Sequence, residues 1–285
     1  MPSALEQHIH EITGQWPNRV TPLSGGCVGD VFRAEMPSGP DLVAKVGDHG
    51  SGLAVEGRML LYLAEHSELP VPEVLHADDG LLLQTLLPSG GGLGATVQRH
   101  AAEVVAALHS ISSDKGFGFD YDTVIGGVPQ PNPWHGSWLE FFAEQRLMHM
   151  GREAERVGRL PTRLMARLER FAGLLDTWLD EPRQSSLIHG DMWSGNVLSA
   201  NGRITGFVDP AIYYADPEIE LAFTTLFGTF GDEFFHYYTR LRPIEPGFFE
   251  DRRAIYNLYP LLVHVRLFGG SYVGSVERTL DRFVM

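Results

Sequence analysis

The stretch that decides the fold lies at residues 188–198 and reads I-H-G-D-M-W-S-G-N-V-L. Asn196 follows Asp191 by five residues, and Asn201-Gly202 then predicts a tight hairpin turn, because both residues tolerate positive φ. The second strand of that hairpin ends at Asp209. The spacing predicts that the two carboxylates and the amide lie close together. That arrangement is typical of kinase-like phosphoryl transfer, in which one carboxylate accepts the substrate's proton and the other two groups hold Mg²⁺.

An acidic strand end followed by a turn is the alternative interpretation of this stretch. It explains the carboxylates but not their combination with H-x-D, the asparagine five residues later and the Asp-Pro pair after a hairpin. The combination favours the catalytic interpretation.

Length, charge and cysteine content limit the class of protein. A chain of 285 residues predicts one large domain or two lobes with a shared core. A formal net charge of −14 argues against nucleic acid or an anionic membrane as a partner. The chain has one cysteine, Cys27, so no disulfide can form within it, and a reducing cytoplasm is the expected compartment. Neither a signal peptide nor an apolar run of membrane-spanning length is expected.

A glycine-rich segment at 23–32, L-S-G-G-C-V-G-D-V-F, fits the kinase pattern G-x-G-x-x-G-x-V with a serine in the first glycine position. Glycines allow backbone N–H groups to approach phosphates closely. A glycine-rich hairpin turn without a ligand is the alternative. The candidate phosphate-binding residues are Ser24, Gly25, Gly26, Cys27 and Gly29.

The strand predicted at 42–46 carries Lys45 in the form V-A-K. A lysine there pairs with nucleotide phosphates and with a helix glutamate. Glu56, on a helix predicted from about 54 to 66, is the favoured partner, whereas Glu65 and Glu68 are expected on a solvated face. A surface lysine is the alternative interpretation.

The first lobe is predicted to end after a pair of antiparallel strands at 74–76 and 81–86. Backbone groups of Gln84, Thr85 and Leu86 would then form the hinge that binds adenine, although a plain core strand is an equal interpretation of those residues. We expect a first lobe at 1–86, with the glycine-rich loop, the lysine and the hinge. A second lobe at 87–285 would hold the catalytic loop, the metal site and the substrate-binding helices.

Helices are predicted in the second lobe at 96–111 and 162–179, with a long irregular stretch at 116–133 between them that is expected to be functional. A further helix is predicted near Pro217, capped by Asp216. Only about ten residues separate it from Asp209. Protein kinases need a longer segment there for peptide binding, and they carry an arginine where this chain has Gly190. Both features favour a small-molecule kinase.

Several segments together resemble the fructosamine kinase (ketosamine-3-kinase) family, within the aminoglycoside-phosphotransferase group of protein-kinase-like enzymes. The segment at 129–147, P-Q-P-N-P-W-H-G-S-W-L-E-F-F-A-E-Q-R-L, is the most specific, because generic small-molecule kinases lack it. The others are S-G-G-C-V-G-D at 24–30, G-F-G-F at 116–119, H-G-D-M-W-S-G-N-V-L at 189–198, D-P-A-I-Y-Y at 209–214 and L-F-G-G-S-Y at 267–272.

This resemblance implies ATP-dependent phosphorylation, with Mg²⁺, of the 3-hydroxyl of fructosamines or ribulosamines. The substrate is a small-molecule or protein-bound ketosamine, and the phosphorylated sugar then leaves the amine, which is deglycation. By the same resemblance Asp191 is the catalytic base, Asn196 and Asp209 are the metal ligands, and Lys45 is the phosphate lysine. His189 is expected to be structural. Glu220 stands where the family has an aspartate that braces the catalytic loop. Because its side chain is longer, the sequence leaves open whether Glu220 forms the same bracing hydrogen bond.

The sequence therefore predicts an α+β, two-lobed protein-kinase-like fold, with a small antiparallel sheet over a larger, mainly helical lobe. Trp193 is expected near the sugar. Trp134 and Trp138, with Phe117 and Phe119, are expected to wall the cleft beside the catalytic loop. Because Pro210 follows it, Asp209 is expected to be extended.

Two alternatives remain for function: an aminoglycoside- or choline-type kinase, and a nucleotide-binding pseudokinase without turnover. Cys27 lies in the predicted phosphate loop, where neighbouring N–H groups lower a thiol's pKa and make it reactive. A small residue that merely fits a tight loop is the alternative there. The oligomeric state is left open between a monomer and a dimer linked through Cys27.

Overall fold

A computed structural model describes residues 3–23, 30–48 and 50–284 of the protein. The N-terminal part is a five-stranded antiparallel sheet in the order β1-β2-β3-β5-β4. Two helices, α1 (Ala4–Thr13) and α2 (Leu53–His66), accompany it. The strands are β1 (Arg19–Pro22), β2 (Asp30–Glu35), β3 (Leu42–Val46), β4 (Val74–Ala77) and β5 (Leu81–Thr85). This confirms the predicted sheet and the helix that was expected to carry Glu56.

Close packing of α2 on the sheet fixes the position of Glu56. The apolar side chains Met59, Leu60 and Leu63 of α2 are completely buried. Gly57 faces β4, and a Cβ at that position would overlap the side chain of Ala77. The glycine therefore allows the helix backbone to approach the strand closely.

The rest of the chain is mainly helical and contains most of the hydrophobic core. Three short two-stranded sheets are inserted among its helices. The helices are α3 (Ala95–His109), α4 (Trp138–Phe141), α5 (His149–Arg156), α6 (Thr162–Ala172), α7 (Glu218–Leu226), α8 (Asp232–Leu241), α9 (Arg253–Tyr256), α10 (Leu258–Phe268) and α11 (Ser271–Phe283). The strand pairs are β6 (Thr123–Ile125) with β7 (Val128–Gln130), β8 (Ser186–Ile188) with β11 (Tyr213–Ala215), and β9 (Val197–Ala200) with β10 (Arg203–Phe207).

Two element predictions differ from the structure. The stretch at 116–133 was expected to be irregular, but it contains the β6–β7 hairpin, which turns at Gly126 and Gly127 with φ of +55° and +76°. The helix expected at 162–179 ends at Ala172 and is followed by a single 3₁₀ turn at Leu175–Thr177.

The segment at 116–135 joins α2 to the strand that follows Asp209. Phe119 packs edge-on against Tyr62 of α2, with ring centroids 4.8 Å apart. The hydroxyl groups of Tyr62 and Tyr214 are hydrogen-bonded at 2.9 Å. Gly118 forms a bridge to Tyr214 and has a φ of +131°, where a Cβ would overlap backbone carbonyl oxygens of residues 132 and 133. The glycines of G-F-G-F thus permit a close backbone contact behind α2.

Candidate active site

The catalytic loop connects β8 to β9 and brings Asp191 and Asn196 together. Asn196 Nδ2 donates to the backbone carbonyl of Asp191 at 2.9 Å and to Asp191 Oδ2 at 3.0 Å. Because both bonds use the amide nitrogen, the Oδ1 atom of Asn196 is left as the group that can face a cation. The β9–β10 hairpin then turns at Asn201-Gly202, with φ of +52° and +76° as predicted for this turn.

Gly190 fits only because it has no side chain. Its φ is +86°, and a Cβ would overlap the carbonyl oxygen of Ala211. The Ala211 N–H donates to the carbonyl of His189 at 2.7 Å, so the two loops are held in direct backbone contact. No arginine can occupy this position, in agreement with the small-molecule interpretation of the motif.

A buried glutamate holds the catalytic loop in place through hydrogen bonds. Glu220 on α7 accepts the backbone N–H of Gly190 at 2.6 Å and that of His189 at 3.3 Å. The Nε2 atom of His109 lies 2.8 Å from the second carboxylate oxygen. The longer glutamate side chain therefore reaches the loop. Burial raises the pKa of Glu220, but the hydrogen bonds from His109 and Gly190, together with the neighbouring histidine rings, outweigh it and lower the pKa overall.

Sequence reasoning missed His109 as part of this brace. The residue is completely buried at the end of α3, and its Nδ1 atom is 2.7 Å from the hydroxyl of Tyr238. Its signal in the sequence is a histidine directly after Leu108, near the end of the helix predicted at 96–111.

Lys45 forms the predicted ion pair with Glu56 and also contacts Asp209. Its Nζ atom is 2.6 Å from Glu56 Oε1 and is hydrogen-bonded to Asp209 Oδ1. Burial lowers the pKa of Lys45, but the charges of the two carboxylates outweigh it and raise the pKa overall. The lysine is therefore charged and links the sheet to the catalytic lobe.

The backbone of Asp209 is not extended as expected. Its φ is +54°, in the left-handed region that aspartate tolerates better than most residues. Backbone bonds hold both sides of it, since the Val208 N–H donates to the Asn196 carbonyl at 3.0 Å and Ala211 is bonded to the catalytic loop. This conformation turns the carboxylate of Asp209 toward Lys45.

The environment of Asp191 disfavours its ionised form. Burial and the nearby charge of Asp209 raise the pKa of Asp191 to about 8, against the opposing hydrogen bond from Asn196. The Asp191 N–H lies 3.4 Å from His189 Nδ1. Burial lowers the pKa of His189, so its ring is neutral and accepts this bond, which agrees with the structural role expected for it.

Oxygen ligands suited to Mg²⁺ lie in this centre. Among the described residues, no group of three or more His, Cys, Asp or Glu side chains could hold a metal ion by itself. Mg²⁺ in kinases is held by one or two protein oxygens together with the nucleotide phosphates. The free Oδ1 of Asn196 and the carboxylate of Asp209 fit that requirement.

Comparison with known proteins assigns the family. The profile of the fructosamine kinase family matches residues 1–285. The chain belongs to the fructosamine kinase family. It is therefore a phosphotransferase whose acceptor is a hydroxyl group.

Similar proteins cover most of the chain. The probable ketoamine kinase of Vibrio parahaemolyticus serotype O3:K6 is 36% identical over 235 residues, which are 81% of this chain and 80% of that protein. The chloroplastic protein-ribulosamine 3-kinase of Oryza sativa subsp. indica is 30% identical over 93% of this chain and 78% of that protein. The crystal structure of a putative fructosamine-3-kinase from Thermobifida fusca YX-ER1 has a TM-score of 0.87 and 28% identity, covering 98% and 99% of the two chains.

The protein-kinase-like α+β fold is confirmed by these comparisons. An aminoglycoside phosphotransferase of 20% identity shares the fold with a TM-score of 0.69, over 98% of this chain and 99% of that one. In the part of the chain that the structure describes, no helix is long and apolar enough to cross a membrane.

Backbone N–H groups of the predicted hinge, at the end of β5, form hydrogen bonds within the protein. The Thr85 N–H donates to Glu73 O at 2.9 Å, and the Leu86 N–H donates to Asp41 O at 2.7 Å. These two N–H groups are therefore bonded within the first lobe, and the predicted contact of backbone groups of Gln84, Thr85 and Leu86 with adenine stays a prediction. Leu87 supplies the next backbone N–H, since Pro88 has none. Gln84 is buried within β5.

The predicted phosphate-binding residues Ser24, Gly25, Gly26, Cys27 and Gly29 lie outside the described residues, and their role stays a prediction. The strands on either side do meet next to the lysine. The Leu23 N–H donates to Val31 O at 2.8 Å, and Val31 pairs with Lys45.

Most of the aromatic residues expected to wall the cleft do not do so. Trp138 is completely buried and donates to the Tyr256 hydroxyl at 3.0 Å, while Phe117 and Phe119 are 5% and 4% exposed. Their large apolar surfaces are used in the core, so this part of the substrate prediction is wrong. Trp134 is half-buried and donates to Asp120 at 3.0 Å. Trp193, in the catalytic loop itself, is 38% exposed.

The segment at 129–147 acts as internal support. Gln130 is completely buried, donates to Ala211 O at 3.1 Å and accepts the Tyr259 hydroxyl at 2.5 Å. Arg146 is also completely buried and stacks over Tyr213 with its guanidinium carbon 3.8 Å from the ring centroid. Both side chains therefore hold the segment that follows Asp209.

Proposed function

We propose that the protein phosphorylates the 3-hydroxyl of ketosamines, using ATP and Mg²⁺, and thereby initiates deglycation. The observation that carries the proposal is the joint placement of Asp191, Asn196 and Asp209, with Lys45 held by Glu56, in a chain of the fructosamine kinase family. Curated relatives named as ketoamine and ribulosamine 3-kinases support the substrate class.

In this proposal each side chain has one task. The carboxylate of Asp191 orients the sugar hydroxyl and accepts its proton. Lys45 binds the nucleotide phosphates, and Glu56 keeps it in place. Asn196 and Asp209 hold Mg²⁺, which supplies charge stabilisation to the transferring phosphoryl group when it is bound.

The protonation state of Asp191 depends on the charge of its neighbours. Its pKa of about 8 results from burial and from the charge of Asp209. Any cation held at Asp209 offsets that charge and therefore favours the ionised form of Asp191. The base is then ready to accept a proton when the site is loaded.

Trp193 is the aromatic residue that supports a sugar beside the base. Its backbone N–H donates to Asp191 O at 3.1 Å, and its ring is folded over Gly195, where a Cβ would overlap the indole. An aromatic face suits the apolar C–H surface of a sugar.

A single cysteine is consistent with the cytoplasm as the compartment, which we also propose.

Competing substrates test the proposal. The kcat/KM for ADP release is measured on purified enzyme with a fructosyl- or ribulosyl-lysine, with a kanamycin-type aminoglycoside and with choline. We expect the ketosamine to exceed the other two by more than tenfold. If an aminoglycoside or choline is preferred by tenfold, about 1.4 kcal/mol of transition-state binding, the assigned substrate class is wrong. If none of the three is phosphorylated although ATP binds, the proposed substrate class is likewise wrong.

A further inference from the structure

A continuous row of aromatic rings extends from the catalytic loop across the helical lobe. Trp193 contacts Phe227 with ring centroids 6.4 Å apart, and Phe227 contacts His264 at 4.9 Å. His264 in turn contacts Phe268 at 5.7 Å and Tyr272 at 4.8 Å. We call Phe227, His264, Phe268 and Tyr272 the aromatic platform.

The aromatic platform exposes large apolar side chains to solvent. Phe227 is 37% and Phe268 is 52% exposed, beside Trp193 at 38%. These three make up half of the six exposed Trp and Phe side chains found in the described ranges, and they form one chain of contacts. A clustered exposed apolar surface next to a reaction centre indicates a binding surface rather than scattered surface residues.

Local structure fixes the far end of the platform. Phe268 is the last residue of α10 and Tyr272 lies in the first turn of α11. The Gly269-Gly270 pair between them has φ of +64° and +60°, which glycine adopts without strain, and this sharp turn brings the two rings to 6.2 Å. Arg159 donates to the carbonyls of Arg266 at 2.6 Å and Leu267 at 2.5 Å, which secures the end of α10.

We propose that the aromatic platform binds the amine and the aliphatic arm of a glycated lysine side chain, while the sugar lies at Trp193. This proposal rests on the proposed function and names the part of the substrate that lies beyond the sugar. A glycated lysine joins its sugar to a secondary ammonium followed by four methylene groups.

The chemistry of the rings matches that occupant. Aromatic faces attract ammonium ions through their quadrupole and also contact methylene groups. Burial lowers the pKa of His264, whose Nδ1 is 2.7 Å from Pro260 O, so that ring is neutral and does not repel a cation. The formal net charge of −14 adds long-range attraction for a cationic substrate. A single sugar ring covers about one aromatic ring, so the rest of the row is left for the lysine arm.

A pair of ketosamines that differ only in the amine tests the platform. The same ketose is attached to the lysine of a short peptide and to methylamine, and kcat/KM is measured for both on the wild-type protein, Phe227→Ala, Phe268→Ala and Phe249→Ala. Phe249 is a matched control, since it is 44% exposed and packs against Phe235 and Phe248 instead. Thermal unfolding of each variant verifies folding.

We expect the wild-type protein to prefer the lysyl substrate by about tenfold. The secondary ammonium is common to both substrates, so the ratio reports the contact of the additional methylene groups with the rings. Each truncation in the platform should lower that ratio by about two- to fivefold, close to the value of burying one methylene group, and Phe249→Ala should leave it unchanged. An equal kcat/KM for the two substrates in the wild-type protein, or a ratio unaffected by both platform variants, would overturn the platform. If the wild-type protein phosphorylates neither ketosamine, the proposed function itself fails.

Discussion

Replacing Asp191 should stabilise the metal-free protein. In the folded state burial and the charge of Asp209 raise the pKa of Asp191 to about 8, from an ordinary value of 3.8. Between these two pH values the folded state binds more protons at this site than the unfolded state. The free energy of unfolding therefore falls as pH rises through this range. Asp191→Asn removes the titrating group and retains the polar side chain that contacts Asn196.

The size of the effect follows from the same pKa difference. Each unit between the folded and unfolded pKa is worth about 1.4 kcal/mol, so a fully buried group would cost several kcal/mol at pH 7. Asp191 retains some contact with solvent, which screens its charge. We therefore expect Asp191→Asn to increase the free energy of unfolding by about 1–2 kcal/mol at pH 7, or a few degrees in Tm.

Urea and thermal unfolding in EDTA, from pH 4.5 to 8.5, measure this effect. The stability gained by Asp191→Asn should be small at pH 4.5, grow toward pH 8 and then level off. Asp176→Asn, which changes an exposed aspartate, serves as the control and should show no such trend. A gain that does not depend on pH, or a loss of stability at pH 7, would refute the proposed cause of the shift.

Three further substitutions test the site. Gly190→Ala should destabilise the protein by about 2 kcal/mol or more in urea unfolding, because a Cβ at positive φ overlaps Ala211 O; wild-type stability would contradict the close loop contact. Glu220→Gln should lower both the free energy of unfolding, by about 1–3 kcal/mol, and kcat, because an amide leaves a buried donor without an acceptor. An unchanged kcat would argue against the brace. Asp209→Ala should weaken Mg²⁺-dependent ATP binding in a calorimetric titration; equal affinity would exclude it as a metal ligand.

The sequence predicted the arrangement of the candidate site well because its signals are local. Asp191 and Asn196 lie in one short loop, and the Asn201-Gly202 turn sets the hairpin that follows. The pairing of Lys45 with Glu56 was also predicted, since a glycine-rich segment, a strand lysine and a helix glutamate follow one another in the order typical of kinases. The order of the elements along the chain was sufficient for these assignments.

The environment of each aromatic residue was not predictable from its position alone. Phe117, Phe119 and Trp138 have the composition of a sugar-binding wall, but all three are buried. Phe119 and Trp138 contact residues more than fifty positions away, Tyr62 and Tyr256, and Phe117 packs against Trp138. Phe227 and Phe268, which form the exposed surface, carry no local signal that separates them from core residues.

Neither the backbone conformation of Asp209 nor the long-range hydrogen bonds of Glu220 could be predicted from the sequence. Pro210 favours an extended conformation before it, yet hydrogen bonds on both sides of Asp209 hold a φ of +54°. The reach of Glu220 to the loop depends on the relative position of α7 and β8, and His109 completes it from a third element, α3. Tertiary contacts decide both outcomes.

Phosphoryl transfer to a ketosamine, measured together with the position of the new phosphate, tests the central claim most directly. Purified protein is incubated with ATP, Mg²⁺ and ribulosyl-lysine, ADP release is followed, and the product is analysed by ³¹P and ¹³C NMR. We predict one ADP for each sugar phosphorylated at its 3-hydroxyl, and a kcat lower by about 10²–10⁴-fold in Asp191→Asn, the usual contribution of a positioned general base. Phosphate on another hydroxyl, no ketosamine-dependent ADP release, or near-normal turnover by Asp191→Asn would contradict it.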